Sequence, residues 1–148
     1  MHQRRKAREI ALQVLYELDV LNIDAREAIT LFWNNFQATE DSRKFSTFLI
    51  EGAWDNREQI DSLISSCSEN WSLARMSRVD RNILRMAVYE LLYCPNIPPK
   101  VTLNEAIDLG KLYGSENSGS FINGILDAVY LKLYKESMNQ DVNGSCNS

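Results

Sequence analysis

The stretch from Trp71 to Pro95, WSLARMSRVDRNILRMAVYELLYCP, constrains the fold of this chain more than any other. Ser77 followed by Asp80 is a capping-box-like helix start, and Pro95 cannot continue a helix. Between them Val79, Ile83, Met86, Ala87 and Glu90 keep the i, i+3, i+4 spacing of one helical face. At about 100° per residue, Arg78, Arg81 and Arg85 share the opposite side. The spacing predicts a helix with an apolar ridge toward a core and an arginine row toward solvent. Such a row reads either as an ordinary charged face or as a surface for a polyanion.

The flanking stretches are helical too. A first helix is expected over Gln3 to Asp19, with Ala7, Ile10, Ala11, Val14, Leu15 and Leu18 buried. Arg5, Arg8, Leu12 and Tyr16 fall on another arc, and cations at that end oppose the helix dipole. Asp24 with Glu27 opens a second helix, whose stripe is Ala25, Ala28, Ile29, Phe32, Trp33 and Phe36. After a loop over Gln37–Asp41, a periodic stretch from Ser42 to Cys67 predicts one helix of roughly 38 Å, interrupted at Asn56 and open to close approach or a kink at Gly52. The Pro95–Pro99 connector reads as non-helical, Thr102–Glu105 as a capping box, and Gly114 as the end of a helix over Leu103–Tyr113. A last helix is expected from about Ser120 to Glu136, followed by a polar, disordered tail over 137–148. No stretch alternates with period two, so the expected fold is all-α, with six or seven helices.

At 148 residues the chain has room for one domain, expected over 1–136 with subdomains of about 1–70 and 71–136 on a shared core. Its net charge of −4 is not that of a generally basic nucleic-acid binder, but Arg4, Arg5, Lys6 and Arg8 cluster within the first eight residues. A local basic patch on an acidic body still attracts a polyanion over a Debye length. Cys67, Cys94 and Cys146 are odd in number and widely spaced, and His2 is the single histidine. That pattern offers no zinc set and argues against a disulfide framework, which fits a reducing cytoplasm. No apolar run reaches the eighteen or so residues of a membrane span, and no apolar segment follows the basic start. No phosphate-cradling glycine loop, nucleophile motif or base–metal set appears, so neither catalysis nor a cofactor is expected.

Three blocks carry a more specific signal: RRKAREIALQVLYELD, RMSRVDRNILRMAVYELLY and IPPKVTLNEAIDLGKLYGSENSGSFINGILDAV. In content and order they resemble the bacterial transcription antitermination factor NusB family, from Arg4 to about Val129. The resemblance implies two small helical bundles joined through a long central helix and a non-enzymatic role. It implies binding to the boxA element of nascent ribosomal RNA together with NusE, a ribosomal protein that doubles as a transcription factor. The complex then acts indirectly on the RNA polymerase elongation complex to suppress premature termination. It leaves monomer and homodimer open and implies no membrane contact.

Matched position by position, the resemblance implies RNA contacts from Arg4, Arg5, Lys6, Arg8, Arg85 and Phe121, and partner contacts from Tyr16 and Asp80. Guanidinium groups suit phosphates and exposed base edges, and an aromatic ring suits an unpaired base. Phe121 reads equally well as a core aromatic, and Asp80 as a helix-capping carboxylate. Ser120 departs from the family, where a basic residue commonly precedes the phenylalanine. The same fold also opens a ribosomal RNA cytosine methyltransferase, and a purely protein-binding adaptor would leave the arginines as a solvated face.

Overall fold

Caps and breakers divide the chain into helices joined by short turns. The structure, a computed structural model, describes residues 2–35, 37–68 and 72–146, with side chains over 4–35, 37–68 and 72–138. Phe36 and Trp71, assigned above to an apolar stripe and to the head of the central stretch, lie outside the described residues, as do the side chains of His2 and Cys146. In order come α1 (His2–Leu21), α2 (Ala25–Asn35), α3 (Glu40–Asp55), α4 (Arg57–Cys67), a 3-10 turn (Leu73–Arg75), α5 (Arg78–Tyr93), α6 (Pro99–Tyr113) and α7 (Ser118–Cys146). Among the described residues there is no strand, in agreement with the all-α expectation.

The central stretch forms as its ends dictate. The Ser77 side chain accepts from the Asp80 N–H at 3.1 Å, and α5 stops at Tyr93, two residues before Pro95. Its surroundings differ from the expectation. α5 packs against α1, α3, α4, α6 and α7, and every residue from Asn82 to Glu90 is buried. Its middle turns are therefore a hub without a solvent face, and the arginine row does not point to water as a whole. Most of the core forms one continuous cluster around it, from Ile10 and Leu15 on α1 to Leu126 and Val129 on α7.

Two internal boundaries move, and so do both ends of α7. The stretch expected as one helix breaks at Asn56, between α3 and α4, rather than at Gly52. Asn56 has φ −103° and ψ 16°, and its side-chain amide donates to the Gly52 carbonyl at 2.8 Å, competing with helix continuation. Gly52 serves close approach: a Cβ there would lie 1.8 Å from the Tyr89 ring of α5. At the other boundary, α6 begins at Pro99, inside the expected connector, because proline at the first helical position loses no hydrogen bond. Thr102 is consequently not a cap but a buried side chain. α7 starts at Ser118 and continues to Cys146, through much of the segment expected as a tail, with no proline to stop it.

Candidate nucleic-acid interface

The basic residues divide by depth. Arg4, Arg5 and Lys6 are exposed at the start of α1, whereas Arg8, one turn on, is 3% exposed. Arg8 reaches across to α5, where its Nε donates to Glu90 Oε2 at 3.1 Å and its Nη2 pairs with Glu90 Oε1. Thr102 of α6 donates to the same Oε1 at 3.1 Å, so the Glu90 carboxylate, 1% exposed, is shared by three helices. Burial pushes the nearby Cys94 thiol up from its ordinary value, and the Glu90 charge adds to this against Arg4 and Arg8. The expectation that Arg8 lies at the surface is corrected: Arg8 is the counter-ion of a buried carboxylate.

Arg85 shows the same inversion. Its Nε and Nη2 clamp Asp61 of α4, both at 2.8 Å, and its Nη1 lies 3.6 Å from Asp19 of α1. Arg81 donates to Asp19 Oδ2 at 3.0 and 2.6 Å, and Asn82 adds a third bond at 3.0 Å. Burial would raise the Asp19 carboxyl, but the Arg81 and Asn82 hydrogen bonds and the charges of Arg81 and Arg85 hold it below its ordinary value. A buried arginine whose carboxylate partners all lie within the fold positions helices and presents little to a ligand.

The exposed cations are not all equally available. Arg5 donates to Glu105 at 3.1 and 3.3 Å and to Asp108 at 2.9 Å, both on α6, and the Glu105 bond and charge push its guanidinium further up. Arg4 stacks over the Phe45 ring of α3, 4.7 Å from its centroid, with Arg8 at 5.4 Å. Lys6 lies 3.9 Å from Glu9, a loose pair at the surface. Arg4 and Lys6 therefore carry the most accessible positive charge of the expected set.

Tyr16 stands outside the core as its position on the helix implies, at 41% exposure. It lines a groove of about 370 Å³ with Lys6, Leu12, Phe32, Val79 and Tyr113. Leu12, on the same arc as Tyr16, is buried at the floor of this groove. Asp80 follows Val79 and is itself buried, with its Oδ1 lacking a hydrogen-bond partner among the described residues. Phe121 is partly buried against the core at the start of α7, and its N–H is already bound to the Asn117 carbonyl at 3.0 Å. Sequence reasoning passed over Phe45, which seats Arg4, and Glu90, which seats Arg8. A lone glutamate on an otherwise apolar arc was the available signal for the second, since buried carboxylates require a partner. No group able to hold a metal occurs among the described residues, and no helix there is long and apolar enough to cross a membrane.

The model of the NusB family matches residues 5–131. The transcription antitermination protein NusB of Syntrophus aciditrophicus is 66% identical over 142 residues, covering 96% of this chain and 88% of its own length. The protein of that name from Myxococcus xanthus is 45% identical, over 91% of this chain and 99% of its own. Among solved structures, NusB of T. maritima superposes with a TM-score of 0.79 at 39% identity, over 85% of this chain and 89% of that one. A crystal structure of antitermination factors NusB and NusE in complex with dsRNA gives a TM-score of 0.80 at 31% identity, over 89% and 98%.

Proposed function

The chain belongs to the NusB family, and from that premise we propose that it is a transcription antitermination factor that binds boxA-type single-stranded RNA jointly with NusE. The observation that carries this reading is the layout of α1, whose exposed Arg4 and Lys6 stand about three turns before the half-exposed Tyr16 and its groove. RNA lies along the cationic end, with Arg4 and Lys6 on phosphates and Arg5 joining when Glu105 and Asp108 release it. Arg8 and Arg85 act beneath that surface by holding α1 and α4 against α5. Phe121, partly buried at the start of α7, meets an unpaired base with what remains accessible of its side chain. The protein partner docks on the Tyr16 groove, and Asp80, buried beside Val79 of that groove, supports its wall from beneath.

The role is regulatory, without catalysis or cofactor, and belongs in the cytoplasm, where the complex acts on the elongating polymerase. Alone, a net-acidic protein with few free cations binds RNA weakly and with strong salt dependence. A partner seated beside the same RNA path adds a linked contact, and two linked contacts gain over either alone. Titration of labelled boxA-type RNA at fixed salt, with and without saturating NusE, should show a gain of at least about tenfold, or about 1.4 kcal/mol of coupling. Tyr16→Ala should remove most of that gain and leave binding by the free protein intact. Superimposable curves with and without partner would contradict the joint reading.

A further inference from the structure

The outer face of α3 carries a second set of aromatic and basic side chains that the surface at the start of α1 does not use. Phe48 is 41% exposed and Tyr93, at the end of α5, is 44% exposed. They flank Tyr89, which is itself buried, with centroid distances of 5.2 Å from Phe48 to Tyr89 and 4.8 Å from Tyr89 to Tyr93. Tyr89 packs over Gly52, so the middle ring of the three is seated on backbone. Arg43 and Lys44 stand one turn before Phe48 and, with Trp33, Thr47 and Glu51, line an open groove of about 430 Å³. Arg43 is fixed by a bond of 3.2 Å to the Trp33 carbonyl and by stacking on that ring. Between this set and the start of α1 lies Phe45, under Arg4.

The geometry points to a second segment of the RNA path, in which nucleotides flanking the core element continue from Arg4 across α3, phosphates meeting Arg43 and Lys44 and unpaired bases stacking on Phe48 and Tyr93. This rests on the RNA-binding reading above and extends it. Exposed rings next to cations suit single strands, because every base offers a face to stack while the groove neutralises the backbone. The acidic groups on the face set its limits. Glu40 pairs with Lys44 at 3.5 Å, and Glu51 lines the same groove as Arg43 and Lys44, so these carboxylates border the strip and confine the strand to the cations and exposed rings.

The test compares a boxA-type RNA with the same RNA extended by about eight nucleotides on each end in turn. With the unaltered protein, one extension should tighten binding by about fivefold or more, the lower range for one stacked base. Arg43→Glu with Lys44→Glu should abolish that gain and leave the affinity for the short RNA unchanged. Phe48→Leu, which keeps the apolar volume against Tyr89, should reduce the gain with an unchanged melting temperature. No gain from either extension, or a gain that survives both variants, would overturn the second segment while leaving the boxA reading intact. Variants that weaken NusE binding alone would assign the strip to a protein. If neither RNA binds at all, this inference falls together with the reading it rests on.

Discussion

Arg4 and Arg8 stand one turn apart on α1 and occupy opposite environments. Arg4 lies at the surface over an aromatic ring, whereas Arg8 is sealed against Glu90 and Thr102 in the seam where α1, α5 and α6 meet. The same division recurs on α5, where Arg78 is exposed while Arg81 and Arg85 bind Asp19 and Asp61. Like residues in one cluster thus meet two environments. The inner arginines hold helices in register at the cost of desolvation, and the outer ones leave their charge in solvent, where the proposed RNA would meet it.

The largest effect should come from breaking the inner set. Arg8→Ala leaves the Glu90 carboxylate buried without its counter-ion and should cost about 3–5 kcal/mol in urea denaturation. A combined Arg8→Met and Glu90→Leu variant, which removes both charges, should recover most of that loss. Arg85→Ala should cost less than Arg8→Ala, because its partner Asp61 keeps 24% of its side chain in water, against 1% for Glu90. A loss below about 1 kcal/mol for Arg8→Ala would place Arg8 among the surface cations.

A smaller effect sharpens the contrast by pH. The Asp19 carboxyl is held below its ordinary value of 3.8, so the folded state binds its proton less readily than the unfolded state. Its contribution is complete above that ordinary value and disappears as pH falls from there through the lower folded value. Asp19→Asn should therefore lower stability at neutral pH and flatten this acid limb, measured as melting temperature between about pH 2 and 6. A limb of unchanged steepness would remove Asp19 from the inner network.

Much of the fold was legible because caps, proline and helical periodicity are local. Ser77, Asp24 and Gly114 mark helix ends where expected, and the stripe of α1 is buried as read. What was not legible depended on partners remote in sequence. A helical wheel places Arg81 and Arg85 opposite Ile83 but cannot say that α1 and α4 cover that side as well. Arg8 and Glu90 are 82 positions apart, so neither residue's neighbours announce the pair. The break at Asn56 turned on one side-chain bond to Gly52, and the start of α6 turned on proline being harmless at a first helical position. Tyr16 was legible because its exposure follows from one helix alone.

The smallest effect on stability should accompany the largest on RNA. Arg4→Ala with Lys6→Ala should change folding stability by no more than about 0.5 kcal/mol per site, as for surface positions generally. The central claim is that these outer cations, and not the buried arginines, carry the contact with RNA. It is tested most directly by the salt dependence of boxA-type RNA binding by this double variant and by the unaltered protein. A loss of two phosphate contacts should lower the slope of log affinity against log salt by about 1.4, at about 0.7 per contact on single strands. An unchanged slope in a fully folded variant would contradict the account.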